Sequence, residues 1–291
     1  MIHPNCVTEY GSLLKVIMCF ANAYDIDAAS VAEDLSDEVS LHQYAHNDHR
    51  PYEVNLVRAQ QRALINVIEQ HGGEVILAPS LGSGVAQHYT RDVGFTIHGV
   101  LFRALPRRPY RQLELAALEP LRERFGQWHP IANGSIEGGD VLVDQEHVII
   151  GLGEETTGAG IDEVERVLIE RGVTVPVRRL TFRRRGVIHT DTLFNIVGPG
   201  AALIHREVFE DDDVAWLAKR YHLIDATAAE ARALAINTLA IAPGKVVMLA
   251  PGGRLADEVA RRGIEPILVD YSAVTALPGS FRCTTFPILR G

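Results

Sequence analysis

The hydrophobic and polar positions of the chain repeat one plan. Four segments each lead from a polar residue into an apolar strand, through a glycine or polar turn, and into a second apolar strand. They are RDVGFTIHGVLFRA from Arg91, GGDVLVDQEHVIIGL from Gly138, HTDTLFNIVGPGAALI from His189 and INTLAIAPGKVVMLA from Ile236. Short apolar runs bounded by turn residues predict four β-hairpins. Their polar leads are Asp92, Asp140, Asp191 and Asn237, and one further step lands on Cys283 in FRCTTFPIL, with successive spacings of 48, 51, 46 and 46 residues.

Helical patterns alternate with these hairpins. Residues 53–71 place Val54, Val57, Leu64, Ile65 and Ile68 on one face and stop at Gly72, a natural C-terminal glycine. Residues 112–125, 161–171, 211–221 and 254–262 repeat the pattern, and Gly126, Gly172 and Gly263 close three of them. A short extended stretch follows each helix: EVILAP, WHPIA, TVPVRRL, HLIDA and EPILVD. The unit is therefore strand, strand, helix, strand, about 48 residues long, and five units use most of the chain.

The fifth unit is split between the two ends. Its Cys283 strand is C-terminal, and the spare strand able to partner it is LLKVIMCF at 13–20. Joining them closes a ring and leaves no open sheet edge between first and last units. The expected fold class is α/β, a radial array of five units. A prior of roughly 150 residues per domain would divide the chain in two, whereas the repeat predicts a single domain over 1–291. Residues 22–50, rich in Asp, Ser and His, and the stretch 80–88 read as insertions or lids.

Composition narrows the function. With 28 Lys and Arg against 37 Asp and Glu, the net charge of −9 argues against a grip on nucleic acid. With no basic segment ahead of an apolar core and no apolar run near the roughly 18 residues of a membrane span, neither secretion nor a membrane partner is expected. Cys6, Cys19 and Cys283 are too few and too scattered for a disulfide framework or a structural zinc site, which fits a reducing cytoplasm. Cys6 and Cys19 have no chemical context and read as inert. No metal or cofactor is expected, and a homodimer is compatible with the sequence.

Equivalent positions in a radial repeat converge on its axis, so the five leads should face one cavity. Glu137 precedes Asp140 by three residues and His189 precedes Asp191 by two, and residues two apart on a strand share a face. A thiol, an imidazole and several carboxylates in one cleft point to nucleophilic catalysis, with an adjacent imidazolium lowering the thiol pKa and making Cys283 fast to alkylate near neutral pH. A thiolate with one histidine needs only one carboxylate behind it. The surplus suits a cationic substrate such as a guanidinium. Asp140 either caps the glycine turn or contacts ligand.

Other motifs carry less. GLGEETTG at 151–158 lacks the third glycine of a dinucleotide loop. His42, His46, Asp48 and His49 have helical metal-ligand spacing but sit in a polar stretch beside Pro51, which reads as a solvated loop. The RRR run at 183–185 reads as a solvated turn.

The ordered set of RD at 91–92, IEGGDV at 136–141, HTDT at 189–192, NTLAIAPG at 237–244 and RCTTFPI at 282–288 resembles the guanidino-group-modifying enzymes. These are the arginine deiminases, dimethylarginine dimethylaminohydrolases and amidinotransferases, five-bladed β/α propellers of the pentein fold. The resemblance implies that Cys283 is the nucleophile and His189 the general acid and base. It implies that Glu137 orients the histidine or assists proton transfer, and that Asp92 and Asp191 accept hydrogen bonds from the guanidinium. The implied activity is hydrolysis at the guanidino carbon of an arginine-like compound, releasing ammonia or an alkylamine. The alternatives are transfer of the amidino group to an amine, or a propeller used only as a binding scaffold. Hydrolysis is preferred because Arg282 stands where the transferases tend to have histidine.

One departure bears on substrate. Family members often carry an arginine for the substrate α-carboxylate after the second hairpin, and here Glu154 and Glu155 occupy that stretch. Either another arginine, Arg103 or Arg282, does this work, or the substrate tail differs from that of free arginine.

Overall fold

The computed structural model describes residues 2–22, 52–82 and 86–291. The expected lid over 22–50 lies outside the described residues apart from Asn22, as does the cluster of His42, His46, Asp48 and His49. The stretch 80–88 is described except for 83–85.

The four predicted hairpins form. They are β3 (Gly94–Ile97) with β4 (Val100–Arg103), β6 (Val141–Asp144) with β7 (His147–Leu152), β9 (Phe194–Gly198) with β10 (Ala201–Ile204), and β12 (Leu239–Ala242) with β13 (Lys245–Leu249). The second strand of each pairs in parallel with the extended stretch beyond the helix: β5 (Trp128–Pro130), β8 (Val177–Thr181), β11 (His222–Asp225) and β14 (Glu265–Val269). The split unit has the same layout. Strand β1 (Leu13–Met18) pairs antiparallel with β15 (Phe286–Arg290) and parallel with β2 (Glu74–Leu77), so Val16 faces Pro287 on one side and Val75 on the other. The described chain is thus mixed α/β, with five three-stranded sheets of one topology.

A parallel third strand requires a crossover, which helices supply. Helix α1 (Val54–Gln70) buries Val57, Leu64, Ile65 and Ile68 of the face its periodicity predicts, leaves Val54 of that face half-buried, and ends before Gly72 at φ +85°. It also buries Gln61, which donates to the Cys19 carbonyl and accepts from the Ala21 amide, each at 2.8 Å, so its amide is satisfied. The expected helix at 112–125 is instead two single turns, α2 (Pro109–Gln112) and α3 (Arg122–Phe125), flanking a 3-10 segment at Leu113–Leu121. Pro120 lies inside that segment; it has no N–H to donate and its ring crowds the carbonyl four residues back. Helices α4 (Gly158–Glu170), α5 (Asp211–Ala218) and α7 (Arg254–Ala260) fall where expected, and a short α6 (Ala228–Arg232) is additional. Among the described residues no helix is long and apolar enough to cross a membrane.

Period-2 alternation buries both faces of the sheets. Val148 and Ile150 of β7 join Phe95 and Phe102 in one cluster, while Ile149 between them joins Phe194 and Leu203 in another. Ala240 and Val246 extend the latter cluster to β12 and β13, and Leu239 and Val247 then pack with Leu13 and Val16 of β1. Ile17 and Ile288 meet Leu101 of β4. Every sheet therefore shares buried side chains with two others, and following those contacts from β4 leads back to β4.

Candidate active site

Three hairpin leads sit on 3-10 turns, Thr90–Val93, Gly138–Asp140 and Thr190–Thr192, which immediately precede β3, β6 and β9 or lie one residue before. The Gly138–Asp140 turn touches both others, so residues about 50 apart in sequence meet. Gly139 permits the approach, because a Cβ there would lie 2.6 Å from Cγ and Nδ1 of His189. Gly139→Ala is expected to displace the imidazole and lower turnover about 100-fold, with much less effect on substrate KM, as steady-state kinetics would show.

The carboxylates and imidazole form a chain. His189 Nε2 is 3.0 Å from Glu137 Oε2, and its Nδ1 is 3.6 Å from Asp92 Oδ1. The Cys283 sulfur stands 3.9 Å from both oxygens of Asp191. Asn237 joins the turns behind them: its Oδ1 accepts from the amides of Arg282 and Cys283 at 3.1 and 3.3 Å, and its Nδ2 donates to the Asp191 carbonyl at 3.3 Å.

A cavity of about 50 Å³ opens on this group, lined by Asp92, Glu137, His189 and Cys283 together with Arg108, Arg111 and Glu155. A single water needs roughly 10–15 Å³, so the space admits a few water-sized groups. That is the size of a guanidinium head. Asp191 borders the site through the sulfur and does not itself line the cavity.

Burial and charge set the protonation states. Burial works against a charged His189, but Asp92, Glu137 and Asp140 outweigh it and raise its pKa well above the ordinary value. Burial likewise opposes ionisation of Glu137, yet its bond to His189 and the nearby charges of His189 and Arg111 hold its carboxyl below the usual range. At Asp92 burial prevails over the same two cations and the pKa rises. The thiol departs from expectation. Burial, then Asp191 and Asp92, push Cys283 well above a normal thiol, outweighing Arg282. The imidazolium is already neutralised by its carboxylates, so it does not lower the thiol.

Asp92, Glu137 and His189 offer ligand atoms within 4.8 Å of one another, the spacing of a metal site. The same atoms form an ion-pair network, His189 Nε2 with Glu137 Oε2 at 3.0 Å and Nδ1 with Asp92 Oδ1 at 3.6 Å.

Two expected substrate contacts are placed elsewhere. Asp140 Oδ1 accepts from the Thr190 amide and hydroxyl, each at 2.9 Å, and Oδ2 from the Thr156 hydroxyl at 2.6 Å, so it braces the turns and does not line the cavity. Arg282 is fully buried away from the cavity, its guanidinium bonded to Asp191, Glu9 and the carbonyls of Gly138 and Val141. Arg103 lies 3.7 Å from Glu119 and is also absent from the lining. The arginines that do line it, Arg108 and Arg111, sit in an RRPYRQ run that gives no signal separating them from solvated ones. Arg111 bonds Asp92 Oδ2 at 3.2 Å and Glu114 Oε1 at 2.9 Å. Arg108 grips Glu155 Oε1 through Nε and Nη2 at 3.1 and 2.9 Å.

Comparison with known proteins places this geometry. Residues 119–223 match the arginine deiminase family model. The chain is 33% identical over 288 residues to the uncharacterised protein YkgA of Bacillus subtilis, covering 98% of this chain and 95% of YkgA. It is 23% identical over 246 residues to an N(G),N(G)-dimethylarginine dimethylaminohydrolase of Streptomyces coelicolor, covering 82% and 88%. Among solved structures, SxtG, an amidinotransferase of Microseira wollei in the saxitoxin biosynthetic pathway, superposes with a TM-score of 0.86 at 15% identity, over 99% of this chain and 98% of SxtG. Five motifs in order, five matching sheets and these relatives agree, and the chain belongs to the guanidino-group-modifying enzyme superfamily.

Proposed function

We propose that the protein is a cysteine-dependent hydrolase of the guanidino carbon in an arginine-like compound, built as a single five-bladed propeller domain. The cyclic packing of the five sheets supports the propeller reading. Three buried cysteines without disulfides support a cytoplasmic setting. One observation carries the function. Around the thiol, Asp92 Oδ1, Glu137 Oε1 and Glu155 Oε2 are buried acceptors that lack a hydrogen bond among the described residues; His189 Nδ1 stands 3.6 Å from the first and Arg107 Nε 3.8 Å from the third, as ion pairs beyond hydrogen-bond length. Unpartnered buried acceptors are costly, and a guanidinium supplies a planar set of N–H donors that satisfies several together.

In this reading the cation lies with its carbon against the Cys283 sulfur. Asp92 holds one side, while Asp191, outside the cavity lining and 3.9 Å from the sulfur, acts on the cation through its charge. The bound cation offsets the charges that keep the thiol protonated, the thiol proton passes to solvent water, and the thiolate forms where its target already sits. Attack forms the C–S bond. His189 gives its proton to the departing nitrogen as the C–N bond breaks, which leaves an amidino thioether on Cys283. His189, now neutral, takes a proton from water as the C–O bond forms; the C–S bond then breaks as the new hydroxyl's proton passes to the departing sulfur, which restores the Cys283 thiol and releases a ureido product. Glu137 keeps the imidazole aimed throughout.

Transfer to an amine shares the first half-reaction, and the likeness to an amidinotransferase structure favours it as the second reading. A product assay separates the two. Hydrolysis gives ammonia or alkylamine plus a ureido compound without any acceptor, whereas transfer needs the amine. The unliganded thiol gives a further check. Because its pKa is raised, the thiolate fraction, and with it the alkylation rate of Cys283, should climb about tenfold per pH unit from about pH 7 to about pH 9. A rate that is flat in that window would show a thiolate already formed and remove the substrate-assisted step.

A further inference from the structure

Arg282 and Glu9 lie behind the reactive sulfur, and the reaction just described gives neither a role. Arg282 is 1% exposed, yet all three guanidinium nitrogens are engaged. Nη1 donates to Asp191 Oδ2 at 2.8 Å and to the Gly138 carbonyl at 3.4 Å. Nη2 donates to Glu9 Oε1 at 3.0 Å and to the Val141 carbonyl at 2.5 Å, and Nε to Glu9 Oε2 at 3.3 Å. Glu9 comes from the N-terminal segment and also accepts from the Val143 amide at 3.1 Å. One side chain thus ties the turn before the sulfur to Asp191, to the Gly138–Asp140 turn and to the N-terminal segment.

We propose that Arg282 and Glu9 are positioning residues that set the charge at the thiol, Arg282 by holding and partly neutralising Asp191, and Glu9 by limiting how much of that positive charge the sulfur feels. Asp191 is the carboxylate in contact with Cys283. Unpaired, it would oppose thiolate formation more strongly. Glu9 is ionised, since burial is outweighed by Arg282, Arg91 and Arg290 and its pKa falls to about 2. The other charged groups around the thiol are Asp92, Glu137, Glu155, His189, Arg108 and Arg111, which line the same cavity, and Arg91, whose Nε donates to the Arg282 carbonyl at 3.3 Å. Removing the cation and removing its counter-charge should therefore move the thiol in opposite directions. Mere loosening of a packed cluster would expose the sulfur in both variants alike.

The role of Arg282 in supporting a reactive thiolate rests on the hydrolase reading, but its test needs no substrate. The second-order rate of iodoacetamide alkylation of Cys283 is measured at a fixed pH of about 8.5, with peptide mass spectrometry separating Cys283 from Cys6 and Cys19. At a pH below the thiol pKa, the rate follows the small thiolate fraction, so a variant with a higher thiol pKa reacts more slowly. Arg282→Met is expected to slow alkylation about tenfold. Glu9→Gln, which keeps the shape and an acceptor, is expected to speed it about threefold, and Arg282→Lys to lie between Arg282→Met and the parent. If Arg282→Met does not fold, the opposite signs of Glu9→Gln and Arg282→Lys decide. Acceleration in every variant, or no change in any, would overturn the proposal. Failure of the guanidino reading would show instead as intact control by Arg282 and Glu9 in a protein that turns over no guanidino compound.

Discussion

Cys283→Ala is expected to abolish turnover of every guanidino compound the protein accepts. Loss of a catalytic nucleophile can reduce kcat by about 10⁶-fold, and the residual rate should sit at the assay floor. Binding should survive. Cys283 contributes one small side chain to a cavity whose charged lining of Asp92, Glu137, Glu155, Arg108 and Arg111 stays intact, so calorimetry of the variant should still detect guanidino ligands. The sulfur is a small group resting against Asp191, so no loss of thermal stability is expected beyond that of a thiol-sized cavity. A variant with unchanged kcat would exclude nucleophilic catalysis by this residue.

The second large effect belongs to His189. His189→Gln retains a group able to donate to Glu137 but removes both the acid and the base, and general acid–base contributions run to about 10²–10⁴-fold. The loss should depend on the leaving group. An amine departs only with a proton, so ordinary guanidino substrates should stall before the adduct. An S-alkyl isothiourea expels a thiol that needs less help, so the first half-reaction should proceed and the adduct should accumulate for want of a base to activate water. Intact-protein mass spectrometry of the variant distinguishes these outcomes. The parent's pH profile follows from the same geometry. The two carboxylates hold His189 protonated through neutral pH, so the acid limb of activity should be set by other groups, and activity should fall on the alkaline side as the imidazolium is lost.

Much of this is legible in the sequence because a repeat places equivalent residues in equivalent places. The leads Asp92, Asp140 and Asp191 fall on equivalent 3-10 turns, and the split unit follows from counting strands, since only β1 remains to pair with β15. Helix α1 is readable because one apolar face and a terminal glycine mark its ends. The segment at 112–125 is not, since an apolar pattern says little about hydrogen-bond pitch and Pro120 decides it locally.

The errors at the site share a cause. A sequence shows which groups are near but not how each is already paired. Arg282 lies next to Cys283, which suggests a substrate contact, yet its donors are taken by Asp191, Glu9 and two carbonyls. His189 suggests a lowered thiol pKa, but its charge is offset by Glu137 and Asp92 while Asp191 faces the sulfur. Glu155 stands out in the sequence as an arginine missing from the family pattern. The structure gives that position a partner, because Arg108 binds it from another unit and brings a guanidinium to the same wall of the cavity. Arg111 and Glu9 carry no signal, since nothing in a single sequence separates a buried charge from a solvated one.

The most direct test is intact-protein mass spectrometry on samples quenched during reaction with a panel of guanidino compounds: arginine, methylated arginines, agmatine and guanidino acids. Nucleophilic catalysis by Cys283 predicts a transient amidino adduct mapped to that residue, absent in Cys283→Ala, with a ureido product released in its wake. Turnover of a panel member without any adduct, or an adduct that persists in Cys283→Ala, would contradict it.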